Sequence, residues 1–251
     1  MLKKAVKLIH EIQKTNPDDL RVCAIIAAAG SSSRMGEGAN KPLIELCGHT
    51  ALEWSVRAYA DSAFVKSIVI TCREADIEVY KQLPLIRECV KPCSFSVGGD
   101  TRQKSVGSAF EVMMRDFKDA QIVAIHDAAR PLITTADIDA VIADCLKYGA
   151  AAASTKVVDT LKRAREDGFI DRTVNRSDLW AVQTPQVFLR DLYLVAMALA
   201  ERDGYCVTDD CSLAEHAGFD VRLTPTSADN IKLTYPTDTA LAEMIMRTRR
   251  K

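Results

Sequence analysis

From residue 21 onward the chain alternates between apolar runs and stretches with helical periodicity. Val22–Ala29 is an unbroken apolar run that ends at Gly30, as is typical of a strand buried on both faces. Further strands are predicted at Ser67–Thr71, Ile122–His126, Ala150–Val158 and Val221–Thr226. Helices are predicted at Ala51–Tyr59, Arg102–Arg115, Thr135–Lys147, Leu189–Glu201, Asp210–His216 and Asp238–Arg247. Strands separated by helices of this length predict an α/β fold with a parallel sheet.

Two segments depart from this alternation. Residues 2–12 have helical spacing and end at an Asn-Pro-Asp-Asp break, which predicts a helical extension over residues 1–20. Residues 156–186 combine charged turns and short β-like pieces without helical periodicity, which predicts an extended β-arm. No repeat or linker divides the remainder, so residues 21–251 are expected to form a single domain.

Composition excludes several classes of protein. Lys and Arg total 33 and Asp and Glu total 34, and this balance argues against a nucleic-acid binder. The longest apolar run is too short to span a bilayer, so no membrane association is expected. The eight cysteines form no C-x-x-C pair and several lie in apolar runs, which indicates thiols in a reducing compartment and a cytoplasmic protein.

The loop after the first predicted strand is suited to holding phosphates. Ala28, Ala29 and Gly30 are small enough for backbone N–H groups to approach a ligand, and Arg34 and Lys41 add positive charge. The loop lacks the P-loop motif of NTPases and the glycine fingerprint of dinucleotide-binding proteins. A surface turn with two solvated cations would have the same spacing, so the loop by itself leaves both interpretations open.

Three other loops carry polar groups at predicted strand ends. Asp127 and Arg130 follow one strand, where a carboxylate could hold Mg²⁺ and the guanidinium an anion, although a helix-capping Asp with a surface Arg is an equal alternative. Gly98-Gly99-Asp100 precedes a helix containing Ser105, which suits a base or a ribose as well as a simple helix cap. Lys232 follows a late strand.

Motifs of other enzyme classes are absent from the sequence. The histidines lack zinc-ligand spacing, which argues against a catalytic zinc site, and no G-x-S-x-G elbow is present, which argues against a hydrolase triad.

Taken in order, these motifs resemble a known family. The first loop resembles the nucleotide-binding signature of sugar nucleotidyltransferases. The full set resembles the 2-C-methyl-D-erythritol 4-phosphate cytidylyltransferases from about Val22 to Arg247. It comprises Ala28–Gly30 with Arg34 and Lys41, Gly98–Asp100 with Arg102 and Ser105, His126–Pro131, Asp159–Lys162, Trp180, Gln183–Gln186, Thr208–Asp210 and Asp229–Lys232.

The resemblance implies a Rossmann-like, mostly parallel sheet of the nucleotide-diphospho-sugar transferase type with an extended β-arm. It implies transfer of cytidylyl from CTP to 2-C-methyl-D-erythritol 4-phosphate with release of pyrophosphate, a step of non-mevalonate isoprenoid synthesis. Mg²⁺ would be the cofactor. The family's homodimer, in which the arm of one subunit reaches over the site of the other, would match the segment at residues 156–186.

The resemblance also implies residue roles. Arg34, Lys41 and Lys232 would be the catalytic cations at the α-phosphate. The CTP-binding residues would be Ala28, Ala29, Gly30, Gly99, Asp100 and Ser105. The polyol-phosphate-binding residues would be Asp127, Arg130, Thr160, Arg176, Thr184 and Thr208, with Asp127 also meeting Mg²⁺ beside the phosphates. Two alternatives stay open: a cytidylyltransferase for another polyol phosphate such as ribitol 5-phosphate, and a non-catalytic nucleotide-binding regulatory module.

Overall fold

A central seven-stranded sheet organises the molecule. In this computed structural model, residues 10–16, 19–30 and 40–249 are described. The strands of the sheet are β1 (Val22–Ala27), β4 (Val65–Cys72), β5 (Cys93–Val97), β6 (Ile122–Asp127), β7 (Ala150–Lys156), β10 (Trp180–Leu189) and β11 (Arg222–Pro225). Their order is β11-β7-β10-β6-β1-β4-β5. Only β10 runs antiparallel to its neighbours, so the predicted mostly parallel sheet is confirmed.

The predicted helices are also present, within one or two residues at most ends. From residue 40 onward, the α-helices of the described residues are α1 (Ala51–Ala60), α2 (Ile77–Gln82), α3 (Pro84–Arg87), α4 (Arg102–Asp116), α5 (Thr135–Tyr148), α6 (Arg190–Arg202), α7 (Asp210–His216) and α8 (Thr237–Arg249). They flank the sheet. Helices α2 and α3 have no counterpart in the sequence analysis, because each spans at most six residues and shows too few turns for periodicity.

The centre of the sheet aligns the strand ends that matter for chemistry. Five of the six residues of β1 and all six of β6 are buried, as expected for strands covered on both faces. In the register of the sheet, Ala27 lies beside Asp127 on one side and Thr71 on the other. The loops after β1 and β6 therefore leave the same edge of the sheet, where ligands bind in folds of this kind.

Strand β10 corrects the predicted extent of the arm. The sequence analysis places residues 156–186 in the arm, but Trp180–Leu189 returns to the sheet and pairs antiparallel with β7 and β6. The strand is hard to recognise because Gln183, Thr184 and Gln186 are buried polar residues and the pairing with β7 is interrupted between Val182 and Gln186. A pattern of alternating apolar residues is therefore missing where the strand enters the core.

The arm itself projects away from the sheet. After β7 the chain forms an antiparallel hairpin of β8 (Lys162–Ala164) and β9 (Ile170–Thr173), and the Val157 N–H donates to the Leu179 carbonyl at 3.2 Å near its base. All residues of β8 and β9 are exposed. A second small hairpin joins β2 (Glu45–Leu46) to β3 (His49–Thr50) ahead of α1.

Part of the amino-terminal extension lies against the domain. Residues 10–12 are helical, whereas residues 2–9 of the predicted helix lie outside the described residues. The Gln13 side-chain amide donates to the carbonyl oxygens of Leu146 and Lys147 at 3.5 and 3.3 Å, near the carboxyl end of α5. Within the described ranges, no helix combines the length and the apolar character needed to cross a membrane.

Candidate active site

A cavity of about 490 Å³ opens at the carboxyl edge of the sheet, beside β1 and β6. Residues from four separate loops meet there, as the sequence analysis expects for strand-end loops. The predicted site residues that line it are Ala28, Ala29, Gly30, Lys41, Gly99, Asp100, Ser105, Asp127 and Lys232. Lys41 and Lys232, which are 191 positions apart in the chain, therefore face one cavity. Arg34, the third predicted cation, lies outside the described residues.

The two glycines of the loop after β5, Gly98 and Gly99, are required by close packing. A Cβ on Gly98 would lie 2.4 Å from the Cβ of Ala29, and one on Gly99 would lie 2.6 Å from the Cβ of Lys104. The Ser105 hydroxyl accepts from the Gly99 N–H at 3.1 Å and donates to the Thr101 carbonyl at 2.9 Å. The loop after β5 is consequently held against the loop after β1, and there is no room for larger residues at positions 98 and 99.

Lys232 reaches the cavity because the chain that carries it is fixed on both sides. The Leu233 N–H donates to the Ala129 carbonyl at 2.8 Å. Asn230 is fully buried, and its amide donates to Gln183 Oε1 at 2.8 Å and to the Thr184 carbonyl at 3.0 Å. The loop after β11 is thereby attached to β10 and to the loop after β6.

Asp127 joins two cations at the floor of the cavity. Its Oδ2 accepts from Lys232 Nζ at 2.6 Å and its Oδ1 accepts from Arg102 Nε at 3.2 Å. Burial by itself would raise the pKa of this carboxyl, but the charges of Arg102 and Lys232 outweigh it and hold the pKa well below its usual value. Asp127 is therefore a carboxylate at neutral pH.

Arg102 extends this network to a second carboxylate. Its Nη1 donates to Asp210 Oδ2 at 2.6 Å, and Asp210 is 1% exposed on its side chain. Burial lowers the pKa of Arg102, but the two carboxylates more than compensate and raise it. Tyr193 donates to Asp210 Oδ1 at 2.7 Å, and Gln186 Oε1 accepts from the Asp210 N–H at 2.8 Å. Both carboxylate oxygens of Asp210 are thus engaged.

This network contains residues that the sequence analysis did not assign. Arg102, Gln186 and Asp210 occur in the motifs of the resemblance without a role, and Tyr193 occurs in none. Arg102, Gln186 and Asp210 share one signal, a charged or polar residue close to an assigned one, whereas Tyr193 has no such neighbour. The geometry could not have been read from that adjacency, because the partners are 17 to 108 positions apart.

Thr184, another predicted site residue, does not line the cavity but is buried next to Asp127 and His126. Its hydroxyl oxygen accepts from the Asp127 N–H at 3.1 Å and lies 3.0 Å from His126 Nδ1. His126 Nε2 lies 3.2 Å from the Arg130 carbonyl, which can only accept, so the ring proton resides on Nε2 and Nδ1 accepts from Thr184. Burial lowers the pKa of His126 to about 4, so the ring is neutral at physiological pH.

Arg130 lies next to this group with part of its guanidinium unused. Its Nη1 donates to the Asn230 carbonyl at 2.8 Å, while its Nε is buried and has no hydrogen-bond partner among the described residues. Burial lowers its pKa, and the Asp127 charge partly offsets that effect. A buried N–H without a partner is costly, so an anion that accepted from it would be favoured here.

Like Thr184 and Arg130, the remaining predicted site residues do not line the cavity. Thr160 and Arg176 are exposed on the arm, where Arg176 donates to the Val158 carbonyl. Thr208 is exposed in the loop between α6 and α7. Within this one chain the structure thus brings the predicted CTP-binding residues together and leaves the arm residues apart from them.

The described side chains could hold a magnesium ion only together with the phosphate oxygens of a bound ligand. Among the described residues, no group of three or more His, Cys, Asp or Glu side chains could hold a metal ion. Mg²⁺ commonly takes one or two carboxylates and completes its shell with phosphate oxygens and water. Asp127 at the floor of the cavity fits that pattern, with the other ligands supplied by a bound triphosphate.

Comparison with known proteins identifies the family of this chain. The family model described as IspD, 2-C-methyl-D-erythritol 4-phosphate cytidylyltransferase, matches residues 22–248. The chain belongs to this cytidylyltransferase family. The enzyme of that name from Caldanaerobacter subterraneus subsp. tengcongensis is 39% identical over 230 residues, which cover 91% of this chain and 100% of the relative. The one from Pelotomaculum thermopropionicum is 37% identical, over 91% of this chain and 95% of the relative.

Solved structures of similar proteins share the fold. The crystal structure of 2-C-methyl-D-erythritol 4-phosphate cytidylyltransferase from Thermus thermophilus has a TM-score of 0.73 at 30% identity, covering 91% of this chain and 100% of that chain. The structure of 4-diphosphocytidyl-2C-methyl-D-erythritol synthase from Anaerococcus prevotii has a TM-score of 0.80 at 27% identity, covering 93% and 100%. Membership of the cytidylyltransferase family confirms the predicted fold class and the prediction that the chain is a nucleotidyltransferase.

Proposed function

We propose that the cavity transfers the cytidylyl group of CTP to 2-C-methyl-D-erythritol 4-phosphate and releases pyrophosphate, in the synthesis of isoprenoid precursors. The observation that carries this proposal is the convergence of Lys41, Lys232 and the glycine loop on one cavity of suitable size in a chain of this family. A pocket with cations beside a close-packed backbone loop suits a triphosphate attached to a base.

The reaction needs positioning and charge more than proton transfer. An oxygen of the acceptor phosphate forms a bond to the α-phosphorus of CTP, and the bond from that phosphorus to the bridging oxygen breaks. The electron pair leaves with pyrophosphate. Because the acceptor phosphate is already an anion, no general base is needed. The obstacle is the approach of one anion to another, which fixed cations relieve most in the transition state.

The proposed residue roles follow from this requirement. Lys41 and Lys232 hold positive charge at the α-phosphate, and Arg34 is assigned the same role from its place in the sequence. Ala28, Ala29, Gly30, Gly99, Asp100 and Ser105 hold the nucleotide. Asp127 keeps Lys232 in place from its 2.6 Å ion pair, and Arg130 offers its unpaired Nε to the acceptor. When bound with CTP, Mg²⁺ would neutralise phosphate charge beside Asp127.

The acceptor side is proposed to be completed by a second subunit. Val158, Phe169 and Ile170 on the arm are 78%, 66% and 61% exposed, so their apolar surface is available to a second chain. Thr160 and Arg176 on the same arm do not line the cavity of their own chain. We therefore propose a homodimer in which the arm, with Thr160 and Arg176, reaches the partner's site, where Thr184 and Thr208 also contribute.

Mixing inactive variants tests this arrangement. If Arg176 acts in the partner's site, a dimer of one Lys232→Ala and one Arg176→Ala subunit has one site with both defects and one intact site. Random exchange then restores roughly a quarter of wild-type activity. If Arg176 acts within its own chain, both sites stay defective and mixing restores nothing. Sedimentation of the wild-type chain gives the oligomeric state independently.

The overall proposal is tested by measuring pyrophosphate release. CTP, UTP, ATP and GTP are each supplied with 2-C-methyl-D-erythritol 4-phosphate or with ribitol 5-phosphate, with and without Mg²⁺. Release is expected with CTP and the methylerythritol phosphate in the presence of Mg²⁺. Preference for ribitol 5-phosphate would contradict the acceptor, and binding of CTP without release would favour a regulatory module.

The compartment is also part of the proposal. All eight cysteines are free thiols, and four of them are buried, namely Cys23, Cys72, Cys145 and Cys211. Burial raises the pKa of the Cys23 thiol to about 12, so it is protonated and unreactive. Free thiols in this number suit a reducing compartment, and we place the enzyme in the cytoplasm.

A further inference from the structure

The loop between α6 and α7, residues 203–209, which we term the acceptor loop, is fixed at both ends. At one end the Tyr205 ring stacks on His216 with 4.2 Å between ring centres, and His216 Nε2 lies 2.9 Å from Asp203 Oδ2. At the other end Asp209 caps α7 by accepting from the Ser212 N–H at 3.1 Å. Thr208, a proposed acceptor contact, lies between these two anchors.

The middle of the acceptor loop is held by one side chain from another part of the molecule. Gln103 Nε2 donates to the Tyr205 carbonyl at 3.3 Å, and Gln103 Oε1 accepts from the Val207 N–H at 3.2 Å. Within the described part of the chain, the bond from Val207 is the one hydrogen bond made by the backbone of residues 206–208. A single amide therefore replaces the contacts that a regular element would give this stretch.

Gln103 belongs to the helical turn that forms the nucleotide side of the cavity. Arg102 precedes it and donates to both Asp127 and Asp210, and Asp210 directly follows the acceptor loop. Asp100 and Ser105, on either side of it in the sequence, line the cavity. The first turn of α4 thus contacts the cavity on one side and the acceptor loop on the other.

We propose that Gln103 is a positioning residue that sets the acceptor loop, and with it Thr208, relative to the nucleotide bound at Gly99 and Ser105. It touches neither substrate itself. The inference rests on the proposed function, because it takes Thr208 to contact the acceptor. Its consequence is selective: losing the Gln103 amide should impair binding of the acceptor and leave binding of CTP nearly unchanged.

The test is steady-state kinetics of Gln103→Met in the full-length protein. Met keeps the length and apolar stem of Gln but makes no comparable hydrogen bond, so packing is retained. We expect the KM for 2-C-methyl-D-erythritol 4-phosphate to rise about 5- to 30-fold, the effect of losing one or two hydrogen bonds, with the KM for CTP within about twofold of wild type. The matched control is Gln121→Met, which removes a side-chain bond to the Arg21 backbone outside the cavity and the acceptor loop.

A second measurement does not depend on activity. Hydrogen exchange of residues 203–209 is compared between wild type, Gln103→Met and Gln121→Met, and we expect faster exchange at Val207 in Gln103→Met alone. An unchanged acceptor KM, equal rises in both KM values, or unchanged exchange at Val207 would overturn the inference. A wild-type chain that releases no pyrophosphate would instead contradict the proposed function, and the exchange data would still decide whether Gln103 holds the loop.

Discussion

Lys232 Nζ lies 2.6 Å from Asp127 Oδ2, so a lysine near the end of the chain is paired with the last residue of a central strand. The lysine side chain is 41% exposed and the aspartate 12%. Asp127 therefore orients the amine of Lys232 and leaves part of it accessible from the cavity. A substrate phosphate would meet a cation that is already placed, which reduces the reorganisation needed during the reaction.

Removing either cavity lysine should slow the reaction without unfolding the protein. We expect Lys232→Ala and Lys41→Ala to lower kcat about 100-fold or more, because each removes a charge aimed at the transition state. Lys118→Ala, at an exposed position outside the cavity, is the control. Turnover is measured by pyrophosphate release and folding by circular dichroism. Activity within a few-fold of wild type in a folded Lys232→Ala variant would contradict the assigned role.

Neutralising Asp127 should separate placement of the lysine from its charge. In Asp127→Asn, Lys232 loses its carboxylate partner while Arg102 keeps Asp210, so the fold is expected to persist. We expect kcat to fall about 10- to 100-fold from misplacement of the lysine. Because the wild-type pKa of Asp127 lies well below its usual value, its protonation should leave kcat unaffected between pH 8 and about pH 5. A loss of kcat on that range that disappears in Asp127→Asn would refute this assignment.

The α/β alternation could be predicted because the inner parallel strands β1, β4 and β6 are buried on both faces, whereas the long flanking helices bury one face. Val22–Ala27 and Ile122–Ile125 are plain apolar runs, and their order along the chain places the loops that follow β1 and β6 at one edge. Strand β10 escaped prediction because its buried half carries Gln183, Thr184 and Gln186, whose polarity is compensated by hydrogen bonds that only the folded chain contains.

Some residues of the candidate site could likewise be predicted from the sequence, and others could not. Lys41, Lys232 and Asp127 could be singled out because each follows a predicted strand or its loop. The Arg102–Asp210 pair could not, since Asp210 opens a helix and its partner is 108 positions away. Which cation faces which carboxylate depends on distances set by packing of the whole sheet, and periodicity contains no information about them.

His126 should make the stability of the protein depend on pH. Its pKa is lowered from 6.5 to about 4 by burial, so between these values the unfolded chain binds a proton that the folded protein does not. The contribution of the neutral ring to the free energy of unfolding is fully present above pH 6.5. As the pH falls towards 4 this contribution is lost, which lowers the free energy of unfolding by up to about 3 kcal/mol. Urea unfolding at pH 7.5 and 5.0 measures this loss, expected to be about 2 kcal/mol at pH 5.0.

The matched variant for that measurement is His126→Gln, which can still hydrogen-bond the Arg130 carbonyl but does not titrate. Its unfolding free energy should change less with pH than that of wild type over the same interval. An equal pH dependence in the two proteins would show that other groups are responsible. If the variant is too unstable to measure, the pKa of the His126 ring in the wild-type protein can be followed directly by NMR.

Glu53 should be the most important single carboxylate for the start of α1. It is 2% exposed, its Oε2 accepts from the Thr50 N–H at 2.8 Å, and its Oε1 accepts from the Leu85 N–H at 3.1 Å, so it links α1 to α3. We expect Glu53→Ala to reduce the free energy of unfolding by about 1–3 kcal/mol, because the buried N–H of Thr50 and the partly buried N–H of Leu85 lose their acceptor. Thr50→Ala removes the hydroxyl that accepts from the Glu53 N–H and donates to Glu53 Oε2, but leaves both backbone donors to Glu53 in place, and should cost about 1 kcal/mol.

The pH dependence of these two variants tests whether the charge of Glu53 is responsible. Burial raises the pKa of Glu53, but the backbone donors of Thr50 and Leu85 outweigh that effect and lower it. Since the folded pKa lies below the unfolded one, the Glu53 contribution is present above the unfolded pKa of about 4.3 and is lost as the pH falls below it, so the two variants should converge in stability in acid. Thermal unfolding at pH 7 and pH 3.5 measures both differences. A gap between the variants that is as large at pH 3.5 as at pH 7 would mean that the charge of Glu53 is not what holds α3.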